Sequence, residues 1–140
     1  GLEQRKIYML GRETLSLIDY KNPPIIFTPL INSLTGQGKM SSSKPETMIS
    51  VLDSAEDISK KISKAYCPEG IIEANPVLEI SKLIIFPHFN KMEINRPDKF
   101  GGNKTYNSYT ELEADFSQKK LHPMDLKKSV GELLAKMLAK

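Results

Sequence analysis

The stretch GQGKMSSSK, residues 36–44, combines glycines, lysines and three consecutive serines in a segment with almost no apolar side chains. Glycine lets backbone N–H groups approach an anion, lysine supplies positive charge, and serine hydroxyls donate further hydrogen bonds. A mobile loop of this kind suits a polyphosphate that is held transiently during a reaction. A solvated linker is the alternative, because Gly/Ser tracts are usually flexible connectors. The stretch does not match the Walker A pattern GxxxxGK[ST], so the residue types alone leave both interpretations open.

Composition narrows the class of protein. The chain has 140 residues, of which 39% are hydrophobic, and this suits one packed domain. Its net charge of +3 is too weakly basic to indicate a nucleic-acid partner unless the lysines cluster on one face. Cys67 is the single cysteine, which excludes an internal disulfide and fits a reducing compartment. No apolar run reaches the roughly 18 residues of a membrane span, and the start lacks the h-region of a signal peptide. We therefore expect a cytoplasmic protein.

The elements that must position the 36–44 stretch are predicted from apolar spacing. Helical spacing predicts a helix over residues 2–17, and the Pro-flanked apolar stretch 23–30 predicts a short buried strand. After the loop at 36–44, MISVLD at 48–53 predicts another short strand. Overlapping capping boxes predict a helix over 54–66, which CPEG ends. The boxes pair Asp53 and Ser54 with Glu56 and Asp57, three residues further on.

The second half is predicted to be mainly helical. A second helix is predicted to follow Pro76, because Val77, Ile80, Ile84 and Ile85 repeat at helical spacing. Residues 93–107 predict two short strands around a glycine-containing turn. Ser108 and Glu111 cap a short helix, and Pro123 opens the last one. The composition changes near residue 50 from Pro/Gly/Ser-rich to helical and Lys-rich, which predicts a domain boundary there. The core stripe of the last helix is predicted to consist of Leu126, Val130, Leu133, Met137 and Leu138.

Several sequence blocks resemble one family. KMSSS, residues 39–43, resembles the signature loop of class I aminoacyl-tRNA synthetases, and GLEQRKI at the start resembles the GxDQRKI segment of tyrosyl-tRNA synthetases of the archaeal and eukaryotic type. Further blocks are similar to the same family in the same order, so the resemblance covers essentially the whole chain. KMSSS alone leaves tryptophanyl-tRNA synthetases open, whereas KFGG and HPMDLK are specific to the tyrosyl group. The further blocks are AYCPEG (65–70), RPDKFGGNKTYNSY (96–109) and LHPMDLKKSV (121–130).

The resemblance implies a fold and a reaction. The fold is α/β: residues 1–50 form the C-terminal end of a Rossmann-type catalytic domain, and residues 51–140 form a mostly α-helical anticodon-binding domain with a small β hairpin. The reaction is ATP-dependent activation of tyrosine to tyrosyl-adenylate, followed by transfer to tRNA(Tyr). ATP, with Mg²⁺, is a co-substrate, and neither a prosthetic group nor a protein-bound metal site is implied. The family is typically homodimeric.

The resemblance also assigns roles in the catalytic domain. In the family the signature loop closes over ATP and stabilises the pyrophosphate leaving group by charge and positioning. Gln4 matches the glutamine that hydrogen-bonds the tyrosine substrate. Glu3 stands where the family usually has an aspartate that binds the ribose hydroxyls of the adenylate, and its side chain is one methylene longer. Lys44 adds charge beside the loop or is an ordinary solvated lysine. The loop residues with the ATP-binding role are Lys39, Met40, Ser41, Ser42 and Ser43.

A second set of residues is implied to read the anticodon. Phe100 matches the aromatic residue that stacks on the first anticodon base, and His122 and Asp125 match the pair beside it that stacks and hydrogen-bonds. Cys67 and Pro68 match a segment near the second anticodon base, although a buried structural role explains Cys67 almost equally well. Several lysines are candidate phosphate contacts, although a solvated helix face explains them equally well. They are Lys60, Lys61, Lys64, Lys127 and Lys128.

Some family features do not occur in these 140 residues. A HIGH-like motif, the tyrosine-pocket residues and the dimer-forming insertion belong to the N-terminal half of the family's proteins. The chain also begins without Met, at what is predicted to be the opening of a helix. We therefore expect a C-terminal portion that needs a HIGH-bearing N-terminal half as its partner and is inactive alone. A non-catalytic tRNA-binding module or split subunit, and a tryptophanyl-tRNA synthetase, are the alternatives.

Overall fold

A computed structural model describes residues 1–139, except for the side chain of Phe100. These residues pack as two units, Gly1–Leu30 and the chain from Ile31 onward. The boundary that composition predicts near residue 50 is a different division, because it falls inside the second unit. The domain boundary near residue 50 therefore stays a prediction.

The first unit contains one helix and an extended segment. A 3₁₀ turn at Leu2–Gln4 leads into α1, Arg5–Ser16, which confirms the predicted helix. The predicted strand over 23–30 is wrong, because this segment forms no ladder with another strand. Three of its residues are prolines without an N–H to donate, and Ile26 is 91% exposed rather than buried. A hydrogen bond of 3.0 Å from the Leu2 N–H to the Thr28 carbonyl ties the segment to the first turn.

Residues 31–53 of the second unit are mostly irregular. They contain a 3₁₀ turn at Pro45–Thr47 and an isolated antiparallel bridge between Asn32 and Lys39. The predicted strand over 48–53 is wrong. The Asp53 carboxylate accepts a hydrogen bond of 2.9 Å from the Ser50 N–H, which closes a turn and leaves the intervening apolar side chains exposed.

Helix α2, Ala55–Lys64, begins where the capping pattern predicts. Ser54 and Asp57 form the reciprocal capping box, with the Asp57 N–H 3.1 Å from the Ser54 hydroxyl. Asp53, the other predicted cap, instead pairs with Lys61 at 2.6 Å. Ile58 and Ile62 form the buried face of the helix.

A longer helical run follows Asn75. The run consists of α3, Pro76–Ile80, a π-helical turn at Ser81–Ile85, and α4, Phe86–Phe89, which confirms the helix predicted to follow Pro76. Asn75 is fully buried and accepts hydrogen bonds from the first helical N–H groups. The π turn precedes Pro87, which cannot donate a helical hydrogen bond and crowds the turn before it.

The hairpin and the last two helices agree with the predictions. Strands β1, Met92–Ile94, and β2, Lys104–Tyr106, pair antiparallel with Met92 opposite Tyr106. Ser108 caps α5, Tyr109–Ser117, and α6 spans Pro123–Leu138.

One core joins α2–α6 and the hairpin. Helix α6 packs against α2 at Gly131, where an added Cβ would lie in ordinary van der Waals contact, 3.8 Å from the Ser59 Cα. Leu126 and Val130 are fully buried as predicted, but the next core residue is Leu134, whereas Leu133 is only half-buried. The described residues are mostly helical with one small two-stranded antiparallel sheet. Among these residues, none of the helices is both long and apolar enough to cross a membrane.

Candidate functional site

The 36–44 stretch forms a closed loop. Its base is held by hydrogen bonds of 2.9 Å from the Leu34 N–H to the Thr47 carbonyl and of 2.8 Å from the Ser33 N–H to the Gly38 carbonyl. Gly36 and Gly38 have φ angles of 77° and 69°, in the left-handed region that side chains other than glycine's disfavour. The two glycines therefore allow the backbone turns that close this loop.

The tip of the loop presents charge and hydroxyl groups. Lys39, Ser42 and Ser43 are exposed, and Ser41 is half-buried with its carbonyl accepting the Lys44 N–H at 3.0 Å. Met40 turns the other way and packs against the hydrophobic core. None of the ion pairs among the described residues involves Lys39 or Lys44. The two ammonium groups are therefore free to meet an anion.

The loop base is anchored by residues that the sequence did not indicate. The Glu79 carboxylate on α3 accepts hydrogen bonds from the backbone and the side-chain amide of Asn32, at 2.7 and 2.6 Å. The Tyr66 N–H donates to the Leu34 carbonyl at 2.6 Å. Tyr66 lies within the AYCPEG block, but nothing in the sequence predicts that it contacts Leu34 at the base of the loop.

Glu3 and Gln4 lie on the first 3₁₀ turn of the Gly1–Leu30 unit. Both side chains are exposed. They are thus accessible to a ligand, and their predicted roles toward tyrosine and ribose remain predictions.

His122 and Asp125 come together in a groove of about 470 Å³ at the start of α6. His122 is the N-cap, and its Nδ1 accepts a hydrogen bond of 3.2 Å from the Met124 N–H. The ring is otherwise exposed, and Asp125 is half-buried in the first turn. Basic residues missed by sequence reasoning complete the groove, although they adjoin the RPDKFGG and LHPMDLKK blocks. The groove is lined by Glu69, Arg96, Lys119, Lys120, His122, Met124 and Asp125.

Arg96 joins the hairpin connection to the segment before α6. Its Nε donates to the Gly102 carbonyl at 2.8 Å, and its Nη1 donates to the Lys120 carbonyl at 3.0 Å. The Phe100 backbone belongs to a 3₁₀ turn at Asp98–Phe100, between Arg96 and Gly102 in the chain. The predicted stacking role of Phe100 concerns a side chain outside the described part of the structure.

Cys67 lies in the core rather than on a surface. The thiol accepts a contact of 3.5 Å from the Asn75 side-chain amide, and burial raises the pKa of the thiol. Pro68 is half-buried, and the next residue, Glu69, lines the groove described above. The sulfur atom is therefore enclosed, whereas Glu69 is exposed.

The candidate phosphate-binding lysines differ in their partners. Lys60 pairs with Glu56 at 2.7 Å, and Lys61 pairs with Asp53 at 2.6 Å. Lys64 makes none of the ion pairs found among residues 1–139, nor does Lys128.

A second groove, of about 310 Å³, lies between α2 and α6. Lys127 spans it with a hydrogen bond of 3.1 Å to the Ser63 carbonyl. Met124 and Asp125 line both grooves, so the two form one continuous surface. The part of the chain that the structure describes holds no cluster of three His, Cys, Asp or Glu residues able to bind a metal.

Comparison with known proteins gives consistent matches. Residues 1–139 match the family described as tRNA synthetases class I (W and Y). The tyrosine–tRNA ligases of Methanocaldococcus jannaschii and Methanocorpusculum labreanum are 52% and 49% identical over 139 residues. The crystal structure of tyrosyl-tRNA synthetase complexed with L-tyrosine from Archaeoglobus fulgidus matches with a TM-score of 0.90 and 47% identity. Each match covers 99% of this chain, but this chain spans only 42–43% of each relative.

Proposed function

Because the chain belongs to the class I tRNA synthetase family (W and Y), we propose that it provides the C-terminal part of a tyrosine–tRNA ligase. The reaction is activation of tyrosine by ATP, followed by transfer of the tyrosyl group to tRNA(Tyr). The names of relatives 52% and 49% identical to this chain favour tyrosine over tryptophan as the substrate. The observation that carries the proposal is the closed glycine-shaped loop that presents the unpaired Lys39 beside three serines.

In this proposal residues 1–50 complete a Rossmann-type catalytic domain, and residues 51–140 form the anticodon-binding domain. The helical core that surrounds α6, and the groove at the start of that helix, support the second assignment. The loop at 36–44 then belongs to the catalytic domain by function, although its base is hydrogen-bonded to Glu79 and Tyr66 of the predicted anticodon-binding domain.

The loop acts on the leaving group of the first step. The tyrosine carboxylate attacks the α-phosphorus of ATP, a P–O bond forms, and the bond to pyrophosphate breaks. Lys39 and the hydroxyls of Ser41, Ser42 and Ser43 stabilise the negative charge that grows on the departing pyrophosphate. Met40 contributes through its core contact, which fixes the residue next to Lys39. Mg²⁺ would be supplied together with ATP, because an ammonium group such as that of Lys39 cannot coordinate a cation, and it would help to neutralise the phosphate charge.

Two exposed residues of the first unit contact the other substrates. Gln4 hydrogen-bonds the tyrosine substrate, and Glu3 accepts from the ribose hydroxyls. The accessibility of both side chains on the 3₁₀ turn Leu2–Gln4 supports these roles.

The groove at the start of α6 reads the anticodon. His122 offers an exposed ring for stacking, Asp125 offers a carboxylate for the donors of guanine, and Phe100 stacks on the same base. Arg96, Lys119 and Lys120 supply the positive charge that a phosphate backbone requires. Pro68 lies toward the second base, and Lys64 and Lys128 extend the basic surface.

The complete catalytic site requires the N-terminal half that carries the HIGH motif, in a cytoplasmic and typically homodimeric enzyme. The second candidate function is a tRNA-binding module without catalysis. It is favoured by one specific observation: the groove lies entirely within a unit that has its own hydrophobic core.

Tyrosine-dependent ATP–pyrophosphate exchange tests the proposal. The chain alone is expected to give no exchange, whereas the chain combined with a complementary N-terminal half is expected to exchange with tyrosine and not with tryptophan. Exchange by the 140 residues alone would show that the site needs no further half. Absence of exchange in the combined enzyme, with tRNA binding retained, would favour the binding module.

A further inference from the structure

A single carboxylate holds the base of the Lys39 loop. Glu79 accepts the Asn32 N–H at 2.7 Å and the Asn32 side-chain amide at 2.6 Å, so both carboxylate oxygens are bonded to one residue. Hydrogen bonds to a charged acceptor are stronger than neutral ones, and a two-point contact also fixes orientation. Asn32 is therefore held in both position and rotation.

The residue that is held lies directly opposite Lys39. Asn32 and Lys39 form an antiparallel bridge, and the adjacent hydrogen bond from the Ser33 N–H to the Gly38 carbonyl is 2.8 Å long. A displacement of Asn32 is transmitted through this bridge to the backbone of Lys39. Met40, the next residue, is held on the core side.

The helix that carries Glu79 is anchored in the hydrophobic core. Val77, Leu78 and Ile80 on α3 are all buried, and Asn75 caps its first turn. Glu79 is the half-buried residue of this helix, between the core and the loop. The Glu79 carboxylate is therefore carried by a helix that is held in the core.

Tyr66, in the segment after α2, makes a second contact that holds the loop. Its N–H donates to the Leu34 carbonyl at 2.6 Å, and its ring lies against Gly36, where an added Cβ would approach the ring to 2.4 Å. The turn of the loop is thus shaped against this ring. Tyr66 follows α2 directly and precedes the Cys67–Pro68 segment.

We propose that Glu79 is a positioning residue for Lys39 that acts through Asn32. In this way α3 sets the position of the Lys39 ammonium group during tyrosine activation, without Glu79 itself contacting ATP or tyrosine. This inference rests on the proposed role of the loop. We call the two hydrogen bonds between Glu79 and Asn32 the clamp. Because a misplacement of about 1 Å can cost on the order of a hundredfold in rate, loss of the clamp lowers the rate without removing any group that contacts a substrate.

Amide hydrogen exchange in the 140-residue chain tests the clamp itself. Glu79→Ala is expected to accelerate exchange of the Asn32 and Ser33 amides by about tenfold or more, because their protection depends on a local opening that the clamp opposes. Glu79→Gln keeps the volume but loses one acceptor, so an intermediate increase is expected. Glu73→Ala removes an exposed carboxylate outside these contacts and is expected to leave both amides unchanged. Unchanged exchange in Glu79→Ala overturns the proposal.

Pyrophosphate-exchange kinetics in the enzyme with both catalytic halves test the consequence. Glu79→Ala is expected to lower kcat by about tenfold to a hundredfold while the tyrosine dissociation constant stays the same. Glu79→Asp, which keeps the charge, is expected to lie closer to wild type. Where Glu79→Ala does not fold, Asn32→Ala removes the side-chain half of the clamp from the other partner.

A double variant separates positioning from a general structural role. If Glu79 acts through Lys39, Glu79→Ala is expected to have little further effect on kcat in the Lys39→Ala background. Fully additive losses overturn the inference. A normal rate in Glu79→Ala beside a slow Lys39→Ala also overturns it and leaves the proposed function intact. A normal rate in Lys39→Ala overturns the proposed role of the loop, and the inference fails with it.

Discussion

The guanidinium of Arg96 donates a hydrogen bond of 3.0 Å to the carbonyl oxygen of Lys120, which lies 24 residues further along the chain. The same side chain bonds the Gly102 carbonyl at 2.8 Å. These contacts bring the hairpin connection and the start of α6 together, so Arg96 builds one wall of the groove that contains His122 and Asp125.

Arg96→Ala is expected to lower both stability and tRNA affinity. Two carbonyl partners lose their donor, which costs about 1 to 3 kcal/mol in the free energy of unfolding, and the groove loses a positive charge. Arg96→Lys keeps the charge but cannot reproduce the forked geometry, so stability is expected to recover only in part. Urea unfolding and a tRNA titration measure the two effects. Lys91→Ala, which removes an exposed lysine paired with Glu93, is the control for charge alone. Equal behaviour of Arg96→Ala and Lys91→Ala would argue against this role.

Lys39→Ala is expected to slow adenylate formation by about a hundredfold in the enzyme with both halves, with tyrosine binding nearly unchanged. The charge meets pyrophosphate mainly in the transition state, so its loss affects rate more than ground-state affinity, at a cost of about 3 kcal/mol. Single-turnover adenylate formation and a tyrosine titration measure the two quantities. Lys44→Ala is the matched control in the same loop and is expected to have a much smaller effect. An unaltered rate of adenylate formation in Lys39→Ala would instead support the interpretation of residues 36–44 as a linker.

The Asp53–Lys61 pair is expected to make stability depend on acid pH. The hydrogen bond from Lys61 holds the pKa of the Asp53 carboxyl below its usual range, and both side chains are largely shielded. A carboxyl with a lowered pKa in the folded state stabilises the fold above its unfolded pKa of about 3.9, and this contribution is lost as the pH falls through the folded pKa. Asp53→Asn is therefore expected to cost about 1 kcal/mol near pH 6 and progressively less below pH ~4.

Urea unfolding from neutral to acid pH checks this dependence. Glu56→Gln is the control on the same helix, because the pair of Glu56 with Lys60 is exposed and such pairs contribute little. A difference between Asp53→Asn and wild type that stays constant across the range would show that the ion pair is not its source.

Local features of this fold could be predicted from sequence, and distant contacts could not. The Ser54–Asp57 capping box and the β1–β2 hairpin depend on residues a few positions apart, and both were predicted. The strand over 48–53 was predicted from apolar residues, but the carboxylate of Asp53 captures the Ser50 N–H and bends the backbone. Helical spacing alone also could not tell Leu133 from Leu134 as the core residue, because the two are adjacent on α6 and only contacts with other elements decide which is fully buried.

The candidate site shows the same division. Lys39, His122 and Asp125 were identified from blocks of adjacent residues. Glu79 was missed because its partner Asn32 lies 47 residues away and neither residue belongs to a motif. Of the two interpretations of Cys67, the buried position of the thiol agrees with the structural one.

Free and paired lysines are expected to contribute differently to tRNA binding. Lys64 makes no ion pair within the described residues, whereas Lys61 must leave Asp53 to contact a phosphate. Lys64→Ala is therefore expected to reduce the slope of log affinity against log salt by about 0.7 to 0.9, as for one lost phosphate contact. Lys61→Ala is expected to change the slope less and to lower stability instead. Titrations at several salt concentrations measure the slopes, and a larger change for Lys61→Ala would contradict this ranking.

Asp125 and Phe100 are expected to contribute to anticodon reading in different ways. A base drawn out of its stack needs a new aromatic surface, which is worth about 1 to 3 kcal/mol for any base. Phe100→Ala should therefore weaken binding of cognate and anticodon-altered tRNA alike. A carboxylate accepts both donors of guanine's Watson–Crick edge and offers nothing comparable to other bases, so Asp125→Ala should chiefly erase the preference for guanine, by about 1.5 to 3 kcal/mol.

Titrations of tRNA with guanine or another base at the first anticodon position separate these effects. Asp125→Asn is the sharper variant, because it keeps the volume and the first-turn position in α6 while one acceptor becomes a donor. Thermal unfolding in parallel excludes damage to the core, which Asp125 adjoins at Leu126. If Asp125→Ala stays folded and keeps full discrimination, Asp125 serves only as an acidic residue in the first turn of α6, where it complements the helix dipole.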